Sequence, residues 1–219
     1  MARAITIAKK PQGYKNYFVV DSCFLAYAAI PRPKGQQKRA FDSKDAKEWA
    51  RANRSCDWWN EIRRQYRAGY ARVYVPDICI GEAFKVLAKW YYTKGFFLSP
   101  PAYTQARERL RKLVSTSHKE MAKAQHNVPI HDLPTNRDIV IGVDRFFEVA
   151  FKGRQKCQIA DLILLAGAKY LVDLYDLPRE HLYVLSCDKP LLKIAAQPSD
   201  RFRAIDPTDP RHAMGKVVV

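Results

Sequence analysis

The stretch YFVVDSCFLAYAA, residues 17–29, decides how this chain is read. Its first four residues form a short aromatic and β-branched run of the kind that makes a buried strand. Asp21 follows directly, and an apolar run of helical length begins behind it. A strand that passes to a helix through one residue is the first half of a crossover unit, which implies a parallel sheet. A bare carboxylate at that junction then needs a reason.

Working outward, the same alternation recurs. RVYVP (72–76) reads as a second strand feeding the helix DICIGEAFKVLAKWYY (77–92), with Asp77 as its N-cap. VPIHDL (128–133) supplies a third strand, a helix spans about 135–151, and QIADLILLAGAKYLVDLY (158–175) is apolar nearly all round and so reads as a buried helix. LYVLS (182–186) is a fourth strand, KPLLKIAAQ (189–197) a short helix, and FRAID (202–206) a fifth strand. Two further helices are expected, from Ser43 as N-cap to about Ala68, stopped by Gly69, and from about Ala102 to Lys123 with Leu110, Leu113 and Met121 on its apolar face. The order predicts an α/β fold with a central, mainly parallel five-stranded sheet. It predicts a single domain over 1–219, with helical enlargements at about 32–72 and 93–127 and an irregular tail from about 207.

Charge sets the partner class. Thirty-eight Lys and Arg against 22 Asp and Glu give a net charge of +16 over 219 residues, which favours polyanions, and nucleic acid first among them. No apolar run approaches the ~20 residues of a membrane span, and the start of the chain lacks the apolar core of a signal peptide, so a soluble, cytoplasmic protein is expected. The 5 cysteines lie far apart, without metal-ligand spacing, and read as reduced thiols.

Four carboxylates share one predicted location. Ligands of an open parallel sheet bind beyond the carboxyl ends of its strands. Asp21 stands at that end of the first strand, Asp188 just past the fourth in VLSCD, Glu82 in the second turn of the helix after the second strand, and Asp161 at the start of the buried helix leading into the fourth. Taken singly, each has another explanation. Asp21 and Asp188 can cap the helices that follow them, Glu82 can pair with a core-facing Arg, and Asp161 can rest on its helix N-terminus. Taken together, they form an oxygen-only donor set suited to a hard cation, Mg²⁺ or Mn²⁺, which would relieve their mutual repulsion and serve phosphoester hydrolysis. A haloacid-dehalogenase-like phosphatase would need an aspartate where Cys23 stands, an integrin-type metal site would need serines at positions 23 and 25, and a receiver domain would need an acidic pair where Val20 precedes Asp21. Neither GxGxxG nor GxxxxGK[ST] occurs.

At these residues the chain resembles the PIN-domain family of metal-dependent ribonucleases, which includes the toxins of toxin–antitoxin pairs. VVDSCFLAY, VPDICIGEAFKVL, QIADLILLAGAKY, VLSCDKPL and FRAIDP follow the order of the family's segments. The resemblance implies a three-layer α/β/α fold and an Mg²⁺- or Mn²⁺-dependent endoribonuclease. Its acidic quartet would be Asp21, Glu82, Asp161 and Asp188, with Ser22 and Ser186 in support. It also implies an antitoxin-like protein inhibitor and a homodimer as assemblies. Cys23 departs from the family, where Asn or Ser is usual. Basic residues would then line a path for RNA: the loop RPKGQQKR (32–39), Arg63, Arg64 and Arg67 on one helix, Arg109 and Arg111 on another, and Lys189 nearest the scissile phosphate. Trp58, Trp59, Trp90, Tyr91 and Tyr92 either stack on unpaired bases or belong to the core. The competing functional class is a non-catalytic basic RNA-binding protein of the same fold working in a larger complex, and a purely structural α/β protein with capped helices is a third.

Overall fold

A computed structural model describes residues 15–30, 43–97, 99–115, 130–197 and 202–212. The basic loop 32–39 and Met121 lie outside these residues, and the helix expected to run from about Ala102 to Lys123 is shorter than that, starting at Pro100 and ending at Val114, where Ser115 turns to extended backbone. Strand β1 (Asn16–Val20) leads through Asp21 into α1 (Ser22–Ala29). There follow α2 (Ser43–Arg67), β2 (Ala71–Pro76), α3 (Asp77–Tyr92), α4 (Pro100–Val114), β3 (Ile130–Leu133), α5 (Arg137–Lys152), α6 (Ile159–Tyr175), β4 (Leu182–Leu185), α7 (Lys189–Ala195) and β5 (Arg203–Ile205). The strands form one sheet in the order β3-β2-β1-β4-β5, and every neighbouring pair is parallel.

Successive side chains of a strand point to opposite faces, so a strand buried at every position has both faces covered. Phe18, Val19 and Val20 of β1 and all four residues of β4 have no exposed surface. Helices α1 to α4 pack on one another, and α5, α6 and α7 form a second group, with α6 lying along β1, β2 and β4. The expected α/β architecture with a parallel five-stranded sheet is what the chain adopts. The helices α2 and α4 of the two enlargements are part of this packing. Trp59 of α2 stacks on Phe24 of α1 at 4.8 Å and donates its indole N–H to the Phe24 carbonyl at 3.0 Å. Tyr103 of α4 stacks on Tyr91 of α3 at 4.5 Å.

Local sequence explains most element ends. Asn136 caps α5 by accepting from the Ile139 N–H at 2.9 Å, and Ser99 caps α4 ahead of Pro100. Gly69 follows α2 at φ +78°, the conformation glycine adopts without steric cost. Two expected caps are corrected. Pro76, with φ −62°, occupies the N-cap of α3, so Asp77 is already helical and sits in the first turn, where a carboxylate faces the positive helix end. Ser43 is the first residue of α2 rather than the residue before it. The aromatic alternatives also separate. Trp58, Trp59 and Trp90 are core residues, at most 4% exposed, and Tyr91 is half-buried, while Tyr92 stands out at 76%.

Candidate active site

The sheet order creates a crevice. From β1 the chain crosses by α1 and α2 to β2 on one side, whereas from β4 it crosses by α7 to β5 on the other. The connections leaving β1 and β4 therefore part above two adjacent strands, which is where ligands settle in open α/β sheets. Asp21 and Ser186 immediately follow those two strands. The Asp21 N–H donates to the Leu185 carbonyl at 3.1 Å and continues the ladder to the lip of the crevice.

Asp21 is 5% exposed, and both its oxygens accept protein donors. Oδ1 takes the Phe24 N–H at 2.6 Å and caps α1, while Oδ2 takes the Ser186 hydroxyl at 2.5 Å and the Cys187 N–H at 3.1 Å. Ser186 has no exposed surface, and its Oγ in turn accepts from the Asp188 N–H at 2.9 Å. Asp188 caps α7 through the Leu191 N–H at 3.2 Å. Capping is thus real for both aspartates, and one buried hydroxyl links them. Asp161, in the first turn of α6, accepts from the Gln158 N–H at 3.0 Å. Glu82 is half-buried and makes no ion pair with an arginine among the described residues.

All four carboxylates line one cleft of about 300 Å³, together with Ser22, Cys23, Lys85, Val86, Lys89, Gln158 and Cys187. Burial raises the Asp21 carboxyl to about 6 despite the three donors that favour its charged form, and the charge of Asp161 adds to the rise. Burial likewise raises Asp161 to about 6, with the like charges of Asp188 and Glu82 pushing the same way against the hydrogen bond from Gln158. The thiols of Cys23 and Cys187 hydrogen-bond each other at the cleft wall, and that contact together with burial holds Cys187 well above the ordinary thiol range.

The chemistry of this donor set fits Mg²⁺ or Mn²⁺. It is oxygen-rich and acidic, and its members repel one another. A carboxylate offers about four acceptor positions, so Oδ1 of Asp21 keeps room for one more partner after its cap. The gathering is loose: among the described residues no three His, Cys, Asp or Glu side chains are grouped to hold a metal ion.

The basic residues singled out in sequence lie elsewhere. Arg63, Arg64 and Arg67 occupy the last turns of α2, where neighbouring Gln65 accepts from Asn16 Nδ2 at 2.8 Å at the opposite end of β1 from Asp21. Five strand residues separate the two edges, ~17 Å. Arg64 pairs with Glu61, and Arg63 hydrogen-bonds Asn60. On α4, Arg111 pairs with Glu108 and Arg109 reaches Gln105, both at the surface. Lys189 is exposed beside Asp188 but is not part of the cleft lining. The cations that do line it are Lys85 and Lys89 of α3. Their signal was in the sequence: residues 82, 85, 86 and 89 share one helix face by 3.6-residue spacing.

No family model matches the chain, and no curated protein matches it in sequence. Two solved structures align along most of it. FitAcB from Neisseria gonorrhoeae is 15% identical, with a TM-score of 0.46 over 87% of this chain and 97% of that one. FitAB bound to an IR36 DNA fragment is 14% identical, with a TM-score of 0.47 over 88% of this chain and 96% of that one. The fold and the cleft together define the class: an α/β protein with a parallel five-stranded sheet and an acidic site at the carboxyl edge of its two central strands.

Proposed function

We propose that this chain is an Mg²⁺- or Mn²⁺-dependent endoribonuclease. The observation that carries the reading is the convergence of Asp21, Glu82, Asp161 and Asp188, from four separate stretches of sequence, on one cleft at the switch point of the sheet. Asp21, Asp161 and Asp188 would hold the cation, and Glu82 would hold it or orient the attacking water. A bound divalent ion acidifies water and stabilises charge on phosphoryl oxygens. Ser186 fixes the Asp21 carboxylate by its hydroxyl and the start of α7 by accepting from Asp188 N–H, so that one side chain sets two of the carboxylates. The resemblance to the PIN family and the net charge of +16 favour RNA as the substrate. By the same resemblance the chain would act as a toxin held by an antitoxin-like inhibitor, or as a homodimer, which co-purification and light scattering test.

The deciding experiment incubates purified protein with single-stranded RNA, structured RNA and single-stranded DNA, with Mg²⁺, Mn²⁺ or EDTA. Metal-dependent cleavage of RNA that is abolished in Asp21→Asn is expected, and equal cleavage by the mutant overturns the assignment. The second reading, a non-catalytic RNA-binding protein, draws on the looseness of the carboxylate group. It predicts salt-sensitive RNA binding without metal-dependent turnover.

A further inference from the structure

We propose that Lys85 and Lys89 bind the backbone phosphates of the nucleic acid and set its path through the cleft. The inference rests on the nuclease reading above for the identity of the ligand, and on geometry for the residues. Both lysines line the cleft that holds the four carboxylates, one helical turn apart on the same face of α3 as Glu82. Four residues of α-helix advance ~6 Å, a spacing comparable with that of consecutive phosphates on an extended strand.

A lysine beside carboxylates ordinarily serves as their counter-charge. Here it does not. Among the described residues neither Lys85 nor Lys89 forms an ion pair, although Lys94, Lys152 and Lys169 do. The two ammonium groups therefore stand in an acidic cleft without being spent on it, free for an anion. A phosphodiester strand whose reacting phosphate faces the carboxylates would lay its neighbouring phosphates along α3. Lysine suits this task as a point charge on a flexible stem, and it reads no sequence.

The test measures binding of a short fluorescein-labelled single-stranded RNA by anisotropy across a salt series, in Mg²⁺ and on an Asp161→Asn background that prevents cleavage. Each lysine that neutralises a phosphate contributes ~0.7 to the slope of log affinity against log salt. Lys85→Ala/Lys89→Ala should flatten the slope by about 1.4 and weaken binding on the order of tenfold at moderate salt. Lys85→Arg/Lys89→Arg should keep the slope, and Lys152→Gln, on α5 and paired with Glu148, should not change it. In the otherwise wild-type protein the double alanine variant should raise KM and leave kcat within about threefold. An unchanged slope, or a slope change no larger than that of Lys152→Gln, overturns the proposal. The outcomes separate from those of the nuclease reading: a flattened slope without cleavage by the wild type keeps the lysines and removes the nuclease, and cleavage with an unchanged slope does the reverse.

Discussion

At the scale of single residues, Ser186 and Asp161 carry the most testable physics. Ser186 is buried between Asp21 and the start of α7, donating to one and accepting from the other. Ser186→Ala leaves an Asp21 oxygen and the Asp188 N–H short of a partner, which should cost about 1–3 kcal/mol in denaturant unfolding. It should also raise the Asp21 carboxyl further, because the lost donor favoured the charged form. Asp161 has its carboxyl raised to about 6 in the folded chain. Its contribution is therefore most favourable below about pH 4, where both states are protonated, and is lost as pH rises through about 6. Asp161→Asn should accordingly melt above the metal-free wild type at pH 8 and converge with it near pH 4. The gap should be on the order of 1 kcal/mol after allowance for the part of the group in water.

Asp21 fills two roles at once. Capping and membership of the acidic cleft are not alternatives, since Oδ1 caps α1 while Oδ2 is tied to Ser186 and Cys187. A sequence can show that an aspartate stands where a cap is needed. It cannot show that a serine 165 positions away donates to its other oxygen.

Among elements, α6 shows what close packing demands. A Cβ added at Gly167 would lie 2.5 Å from Leu133 Cδ2 and 3.3 Å from its Cγ, so the helix approaches β3 more closely than alanine allows. Gly167→Ala gains ~1 kcal/mol in helix propensity but forces a buried leucine off its rotamer, and a net loss of about 1 kcal/mol is expected. Combined with Leu133→Ala, the total loss should be smaller than the sum of the single losses, a coupling that a double-mutant cycle reads directly. The two helices are legible in different ways: in α5 burial follows one face, with Ile139, Val143, Phe146 and Ala150 recurring at three- and four-residue steps, whereas α6 is apolar nearly all round and buried along a continuous run. At the start of α3 the side-chain and backbone signals fall on different residues: Asp77 has cap chemistry, while Pro76 has the backbone angle that ends the strand and takes the cap position.

Across the whole molecule, charge and metal act together. With four carboxylates lining one cleft, a divalent cation should stabilise the folded state by mass action. At a concentration 100 times its Kd the gain is about 2.7 kcal/mol, readable as a rise in Tm. The rise should be present for Mn²⁺ in the wild type and largely absent in a variant that combines Asp21→Asn with Asp161→Asn. Equal rises in both would separate the metal from this cleft. No helix among the described residues is long and apolar enough to cross a membrane.

The alternation of short apolar strands with longer helical runs was enough, without coordinates, to establish the α/β class, the strand count and the positions of the four acidic residues. Those properties are local: they depend on periodicity over 5 to 17 residues and on which residue ends each element. Which basic residues attend the cleft was decided by tertiary structure, because helix direction relative to the sheet sends the last turns of α2 to the far edge and brings the face of α3 bearing Lys85 and Lys89 over the near one. The link from Asp21 through Ser186 to Asp188 was decided there too. It exists because β1 and β4, whose paired residues lie 165 positions apart, become neighbours that present Val20 beside Leu185. Pairing distant strands is a property of the folded sheet, and no local pattern encodes it.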